Sequence, residues 1–233
     1  KVWDVASGKV VTTISSNEEF TSVDWYPGGG EIASASLGNV VRIWEANSWR
    51  ELRNFNGHRN EINSVKWSPD GMTIASGASD NTIRIWDGAS GSLIRTITGH
   101  EGGVNCIDWS SDGSELVSAS EDHTSRIWDP NNGLNLDVLS QHQNAVNCVA
   151  WNPEGTKVVS GGDDGRLIIW QAKGGYVTQT LGWRIGLINS IDWSRDGFNI
   201  ASGGNSKASK VWDVQAGEEK FSLIEDPGFI DCV

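Results

Sequence analysis

The sequence predicts an all-β fold built from repeated four-stranded sheets, and the first observation behind this is a tryptophan period. One series steps by 41 residues once and then by 42: Trp3, Trp44, Trp86, Trp128, Trp170 and Trp212. A second series steps by 42 throughout: Trp25, Trp67, Trp109, Trp151 and Trp193. Together the two series hold 11 of the 13 tryptophans, and a fixed period of this length indicates a repeat architecture.

The second observation is the internal pattern of each unit, which is clearest between residues 57 and 87. The segments INSVKW, TIASG and TIRIW are rich in β-branched and aromatic residues, and the turn sequences SPDG and ASDN separate them. A fourth run, SLIRTI, follows at residues 92–97. Four strands in 42 residues leave no room for a helix. Small sheets of this kind bury their faces by stacking, and a stack of twisted sheets closes into a propeller with a central channel.

Composition and charge narrow the function classes. The chain has 233 residues, 37% of them hydrophobic, and no apolar run of the roughly 20 residues that a membrane helix needs. Its net charge of −12 disfavours nucleic acid as a partner and favours basic proteins or peptides. Cys106, Cys148 and Cys232 are too far apart for a metal knuckle, so we expect reduced thiols in an intracellular protein, cytoplasmic or nuclear.

Short motifs in the units resemble a known family. The dipeptides Gly57-His58 and Gly99-His100, and the segment ends Ile85-Trp86-Asp87 and Ile127-Trp128-Asp129, are similar to those of WD40 repeats. The resemblance covers essentially the entire chain. It implies a β-propeller that acts as a protein-binding scaffold or adaptor within a larger protein or complex, without catalysis of its own.

The resemblance also implies a buried hydrogen-bonded tetrad of histidine, serine, aspartate and tryptophan in each unit. The three middle units match it in full: His58, Ser76, Asp80 and Trp86; His100, Ser118, Asp122 and Trp128; His142, Ser160, Asp164 and Trp170. The outer units depart from it, with Ser16 and Gly38 in the first and Arg184 and Ser206 in the last at the histidine and aspartate positions. We expect the outer units to be less well fixed.

A set of histidine, aspartate and serine can also be a catalytic triad, but three copies at one repeat position favour a structural role. The sequence contains no P-loop, no HExxH and no GxSxG motif. We therefore predict no catalytic residues, no cofactor and no metal site.

The repeat register predicts five complete blades, each a sheet of four strands, at about residues 20–55, 61–97, 103–139, 145–181 and 187–223. Partial strands are expected before them, at residues 1–4 and 9–14, and after them at residues 229–233. We interpret residues 1–233 as one propeller domain that is incomplete at both ends. Seven blades, the commonest number in the resembled family, would need about 294 residues; an imperfect six-bladed ring is the alternative.

In the resembled family, partners dock on the face that carries the loops before the first strand and after the second strand of each blade. By register, the polar residues predicted there are Glu19, Glu61, Asn63, Asn105, Glu121, Asn147, Asp163 and Asn189. Four asparagines at one repeat position and the surrounding carboxylates favour a peptide that carries arginine or lysine. Two other functions stay open: the sensor array of a larger NTPase-linked signalling protein, and a cytoskeletal or centriolar scaffold.

Overall fold

The computed structural model describes residues 1–14, 18–182, 186–205 and 209–223, and all its regular structure in these ranges is β-strand. A two-stranded sheet comes first, formed by β1 (Val2–Asp4) and β2 (Lys9–Thr12). Five four-stranded antiparallel sheets follow, and the all-β prediction is confirmed. The partial strand predicted at residues 229–233 lies outside the described residues.

Each blade is a simple meander of four consecutive strands. Blade 1 contains β3 (Phe20–Trp25), β4 (Glu31–Ser36), β5 (Val40–Glu45) and β6 (Glu51–Asn56). Blade 2 contains β7 (Ile62–Trp67), β8 (Thr73–Ala78), β9 (Ile83–Asp87) and β10 (Leu93–Ile97). Blade 3 contains β11 (Val104–Trp109), β12 (Leu116–Ser120), β13 (Ser125–Trp128) and β14 (Asn135–Leu139).

The last two blades repeat the same order. Blade 4 contains β15 (Val146–Trp151), β16 (Lys157–Gly162), β17 (Leu167–Gln171) and β18 (Val177–Leu181). Blade 5 contains β19 (Ile188–Trp193), β20 (Asn199–Gly204), β21 (Ser209–Asp213) and β22 (Glu218–Leu223). These bounds agree with the blades predicted from the register to within one residue at each end.

The turn between the first two strands of a blade shows how the sequence fixes the meander. In blade 2, the Ser68 hydroxyl donates to Asp70 Oδ1 at 2.6 Å and accepts from the Thr73 backbone N–H at 3.0 Å. Gly71 has a φ of 72°, a conformation that side chains with a Cβ rarely adopt, and its N–H donates to the Ser68 carbonyl. The sequence SPDG therefore closes a tight turn that leads directly into the second strand.

Blades pack face to face, and the core lies between them. One buried cluster joins Ile43 and Phe55 of blade 1 to Val65, Ile74 and Trp86 of blade 2. The innermost strands β3, β7, β11, β15 and β19 lie side by side in that order. Together they line a central cavity of about 530 Å³. This arrangement of blades around a channel is that of a β-propeller.

Candidate functional site

The three predicted tetrads of the middle blades are each brought together by the fold. In blade 3, His100 Nδ1 lies 2.7 Å from Asp122 Oδ2, and Nε2 lies 2.7 Å from Ser118 Oγ. The Trp128 indole N–H donates to the same Ser118 oxygen at 2.8 Å. The corresponding contacts in blades 2 and 4 measure 2.8 to 3.0 Å.

Donor and acceptor roles in this network follow from the aspartate. An ionised carboxylate can only accept, so the imidazole proton is on Nδ1, and Nε2 accepts the serine hydroxyl proton. Burial lowers the pKa of His58, which favours this neutral imidazole. The serines of all three tetrads, Ser76, Ser118 and Ser160, have no exposed surface, so none of them can reach a substrate from solvent. The geometry is that of a structural network.

The outer blades keep only half of this arrangement. Trp44 donates to Ser34 at 2.8 Å in blade 1, and Trp212 donates to Ser202 at 2.9 Å in blade 5. Blade 1 has Gly38 at the aspartate position. The other substituted positions, Ser16, Arg184 and Ser206, lie outside the described residues.

Blade 1 has a second polar network that the sequence pattern did not reveal. Glu18 Oε2 accepts from the Ser36 hydroxyl at 2.8 Å and from Arg42 Nη1 at 3.0 Å. Arg42 also contacts Ser36 Oγ at 3.1 Å. This network occupies the space beside Gly38, where a Cβ would meet the Glu18 carboxylate. The sequence signals that could have revealed this network are a glutamate shortly before the first strand of the blade and an arginine in its third strand.

The predicted asparagines line the central cavity, and three of them link neighbouring blades. The Nδ2 of each donates at 3.0 Å to the carbonyl of the first residue in the next innermost strand: Asn63 to Val104, Asn105 to Val146, and Asn147 to Ile188. Thr21 makes the equivalent contact with the Ile62 carbonyl at 2.5 Å. We call the opening surrounded by the side chains of Thr21, Asn63, Asn105, Asn147 and Asn189 the channel mouth.

Two of these amides have no donor left for a ligand. The second N–H of Asn63 donates to Ser79 Oγ at 3.0 Å, and that of Asn147 donates to Asp163 Oδ1 at 2.7 Å. No described residue donates to the Oδ1 atom of either asparagine. The channel mouth therefore offers amide oxygens, which accept hydrogen bonds, and few free amide donors.

The predicted carboxylates differ in how far they are already engaged. Glu19 and Glu61 are exposed, and no described residue bonds to either side chain. Glu121 is exposed and accepts from the Gly103 backbone N–H at 3.3 Å. Asp163 is half-buried and bonded to Asn147. Three of the four predicted carboxylates thus present charge to solvent around the mouth.

The channel interior holds charged residues that the sequence reasoning did not single out. Asp24, Lys66 and Asp108 occupy one repeat position on three successive blades. Lys66 Nζ lies 3.6 Å from Asp24 Oδ1, and Asp108 Oδ2 accepts from the Trp151 backbone N–H at 2.8 Å. Burial in the channel raises the pKa of Asp108 to about 6, and Lys66 limits that rise. The 42-residue step was the signal that could have found this row.

Two features of the part of the chain that the structure describes bear on metal ligation and membrane insertion. No group of three or more His, Cys, Asp or Glu side chains there could hold a metal ion. Those same ranges hold no helix with the length and apolar character of a membrane span.

Comparison with known proteins agrees with this geometry. The family described as "WD domain, G-beta repeat" matches five consecutive segments, at residues 8–45, 49–87, 91–129, 133–171 and 176–213. The chain belongs to the WD-repeat family. Members of this family generally mediate protein–protein contacts, and their propellers are typically non-catalytic. Each matched segment ends at or next to a tryptophan of the series that begins at Trp3.

One curated relative of this WD-repeat chain is "Polyadenylation factor subunit 2" from Neurospora crassa. It is 35% identical over 63 residues, which is 27% of this chain and 10% of the relative. The matched part thus spans about a tenth of the relative's length, and the similarity concerns the repeat.

Proposed function

We propose that this WD-repeat chain is a non-catalytic scaffold that binds a partner protein through its channel mouth, and that the partner segment carries arginine or lysine. The single observation that carries this proposal is the hydrogen bonding of the asparagine amides at the channel mouth. Asn63 and Asn147 use both N–H bonds within the propeller and keep only acceptor oxygens toward the channel. Amides whose N–H groups are already used favour a ligand rich in donors, and guanidinium and ammonium groups are donors without acceptors.

The negative charge around the channel mouth also favours a partner segment that carries arginine or lysine. Glu19, Glu61 and Glu121 are exposed there, and the whole chain has a net charge of −12. Exposed carboxylates around an opening attract a basic segment and orient it before contact. Charge-assisted hydrogen bonds to the amide oxygens then fix its position.

The setting that we propose is an intracellular assembly, in the nucleus or the cytoplasm. Two free thiols in the channel, Cys106 and Cys148, favour a reducing compartment. The name of the relative in Neurospora crassa describes a subunit, which supports a role within a complex. Neither nucleic acid nor a membrane is part of the proposal.

The test is affinity purification with mass spectrometry from the source cells, comparing the natural chain with the double variant Glu61→Lys and Glu121→Lys. We expect a set of partners to be captured by the natural chain and lost by the variant, because both changes place like charge opposite a basic segment. Synthetic peptides from the captured partners, titrated by fluorescence anisotropy, should bind through segments rich in arginine or lysine.

A matched control reverses two exposed carboxylates on the opposite face. Glu154 lies in the turn between β15 and β16, and Glu218 begins β22. The double variant Glu154→Lys and Glu218→Lys has the same net charge as the test variant and should keep the partners. If both variants lose them, net charge and not the channel mouth decides binding. If neither does, the proposed docking face is wrong.

A further inference from the structure

The outermost strand of blade 3 differs from its four counterparts. Leu134, which immediately precedes β14, is 61% exposed, and Leu136 and Val138 within the strand are each 45% exposed, so three apolar side chains meet solvent along this edge. The equivalent triplets on the other blades each contain at most one aliphatic or aromatic residue: Arg50, Leu52 and Asn54; Ser92, Ile94 and Thr96; Tyr176, Thr178 and Thr180; Glu218, Lys220 and Ser222.

The backbone beside these side chains is an open sheet edge. Within blade 3 the strand order is β11-β12-β13-β14, so β14 pairs with β13 alone. Proteins commonly protect such edges with lysine, proline or a bulge. The pairing of β14 has a register shift near Leu136, but all five outermost strands have one at this position, so it gives β14 no special protection. In addition, β14 contains no lysine, arginine or proline. Its edge is therefore less protected than the edge of β22, which includes Lys220.

The two faces of this edge carry different chemistry. Val138 lies opposite Arg126 in the pairing with β13, whereas Asp137 lies opposite Ile127, so the Val138 and Asp137 side chains point to opposite faces. Asp137 accepts from the Gly174 N–H of blade 4 at 3.2 Å.

The charge of Asp137 also acts on Glu115. Burial and the carboxylates of Asp112, Asp137 and Asp129 raise the pKa of Glu115, and Lys173 partly offsets them. The electrostatic surroundings of Asp137 therefore favour a basic side chain over an acidic one.

We propose that the outer edge of β14 binds an extended segment of a partner protein whose side chains alternate between apolar and basic, paired beside β14 as a fifth strand. Residues of such a strand point alternately to the two faces. Apolar side chains would cover the exposed Val138 and Leu136, and basic ones would meet Asp137. The binding edge is separate from the channel mouth and does not depend on the function proposed there.

The probe is a fluorescein-labelled peptide of eight residues that alternates lysine and valine, with a glutamate–valine peptide as the charge control. Anisotropy titrations against the full chain should show saturable binding of the lysine peptide and much weaker binding of the glutamate peptide. The double variant Leu136→Lys and Val138→Lys should weaken the lysine peptide at least about tenfold, since it removes the apolar contacts and adds like charge. Both positions are exposed, so the fold should be retained, which circular dichroism checks.

Blade 4 offers the matched control. Thr178→Lys and Thr180→Lys introduce the same charges at the same repeat positions of β18 and should leave the affinity unchanged. All these titrations use a chain that carries Glu61→Lys and Glu121→Lys, because the channel mouth is itself proposed to bind lysine and would otherwise add a second site. In that background, the proposal is overturned if the lysine peptide does not bind saturably, if the glutamate peptide binds equally well, or if adding the β14 changes leaves the affinity unaltered. Binding to the natural chain that is absent from this background would show that the peptide binds at the channel mouth alone.

Discussion

The first strands of blades 1 and 2 have similar sequences and very different surroundings. FTSVDW in β3 and INSVKW in β7 align position by position. Trp67 is 5% exposed and Val65 is fully buried, yet their counterparts Trp25 and Val23 are 52% and 63% exposed. Blade 2 packs on a complete four-stranded blade, whereas the described sheet before blade 1 has two strands, β1 and β2. Burial in this fold is therefore a property of the neighbouring blade as much as of the strand.

The polar networks differ in the same way. The blade 3 tetrad buries its aspartate, with 8% of the Asp122 side chain exposed. The Glu18 carboxylate of blade 1 is 35% exposed within a network that contains no histidine. Hydrogen bonds in a buried, fully paired network contribute more to stability than similar bonds near water. We infer that the middle blades are held more firmly than blade 1.

The largest expected effect tests the packing difference directly. Trp67→Ala should lower the free energy of unfolding by about 3 to 5 kcal/mol, because it leaves a cavity between two blades. Trp25→Ala at the same repeat position should cost less than about 2 kcal/mol, since that side chain is half-exposed. Urea unfolding followed by circular dichroism measures both. Equal losses would show that the β1–β2 sheet covers Trp25 as effectively as a complete blade.

The next effect concerns the tetrads. Although burial opposes its ionisation, hydrogen bonds from His100, Thr124 and the backbone of Glu101 lower the pKa of Asp122. A carboxyl group with a lowered pKa stabilises the fold above its unfolded pKa of about 4, and that contribution is lost as the pH falls. Asp122→Asn should cost about 1 to 3 kcal/mol at neutral pH.

The counterpart in blade 1 provides the control for this change. Glu18→Gln should cost no more than about 1 kcal/mol, because the pair that it disrupts is partly exposed. Chemical unfolding at pH 7 and again at pH 3 checks both variants, and the difference between Asp122→Asn and the natural chain should shrink at the lower pH. A larger loss from Glu18→Gln than from Asp122→Asn would reverse the ranking of the blades.

The links between innermost strands give a smaller contrast. Asn147→Ala removes two hydrogen bonds, one to the Ile188 carbonyl and one to Asp163, and should cost about 1 to 2 kcal/mol. Asn189 occupies the same position in blade 5, and no described residue accepts from its side chain. Asn189→Ala should change stability by less than about 0.5 kcal/mol. Thermal unfolding of the two variants measures the difference, and equal shifts would show that Asn189 also has an acceptor.

The smallest effect is confined to a pH window. Because burial raises the pKa of Asp108 to about 6, its protonated form is favoured in the folded state. The stability that the protonated Asp108 carboxyl group contributes to the fold is fully present below the unfolded pKa of about 4 and is lost as the pH rises through about 6. Asp108→Asn should therefore raise the urea midpoint at pH 8 and leave it unchanged below pH 4.

Asp24 occupies the same repeat position in blade 1 and provides the comparison for this pH dependence. Burial also raises its pKa, while Lys66 opposes the rise, and the side chain is 24% exposed. Asp24→Asn should act in the same direction and by less. An Asp108→Asn variant that is destabilised at pH 8 would show that the ionised carboxylate holds blade 4 more strongly than its burial opposes it.

The tryptophan period, together with the strand and turn pattern inside each unit, was sufficient to predict the all-β fold and the bounds of every blade, because strand position follows directly from the 42-residue step. It was not sufficient for contacts made through the backbone. Asn63 was predicted to lie on the docking face, but its bond to the Val104 carbonyl could not be predicted, because every residue has a carbonyl. The exposure of Trp25 depends on what precedes blade 1. The Glu18–Arg42 pair lies beside Gly38, at the aspartate position of the tetrad, and uses different residue types, so a search for histidine misses it.

The asparagine contacts between blades also bear on how such a chain can change in length. Each one joins a donor in one 42-residue unit to a carbonyl in the unit that follows, always in the same direction. The acceptor is part of the main chain, so any unit of the right shape supplies it whatever its side chains are. A gene segment that encodes one unit can thus be duplicated or deleted without stranding a donor at the new junction. The number of blades is free to vary by whole copies over evolution, while the side chains at the rim and mouth diverge for different partners.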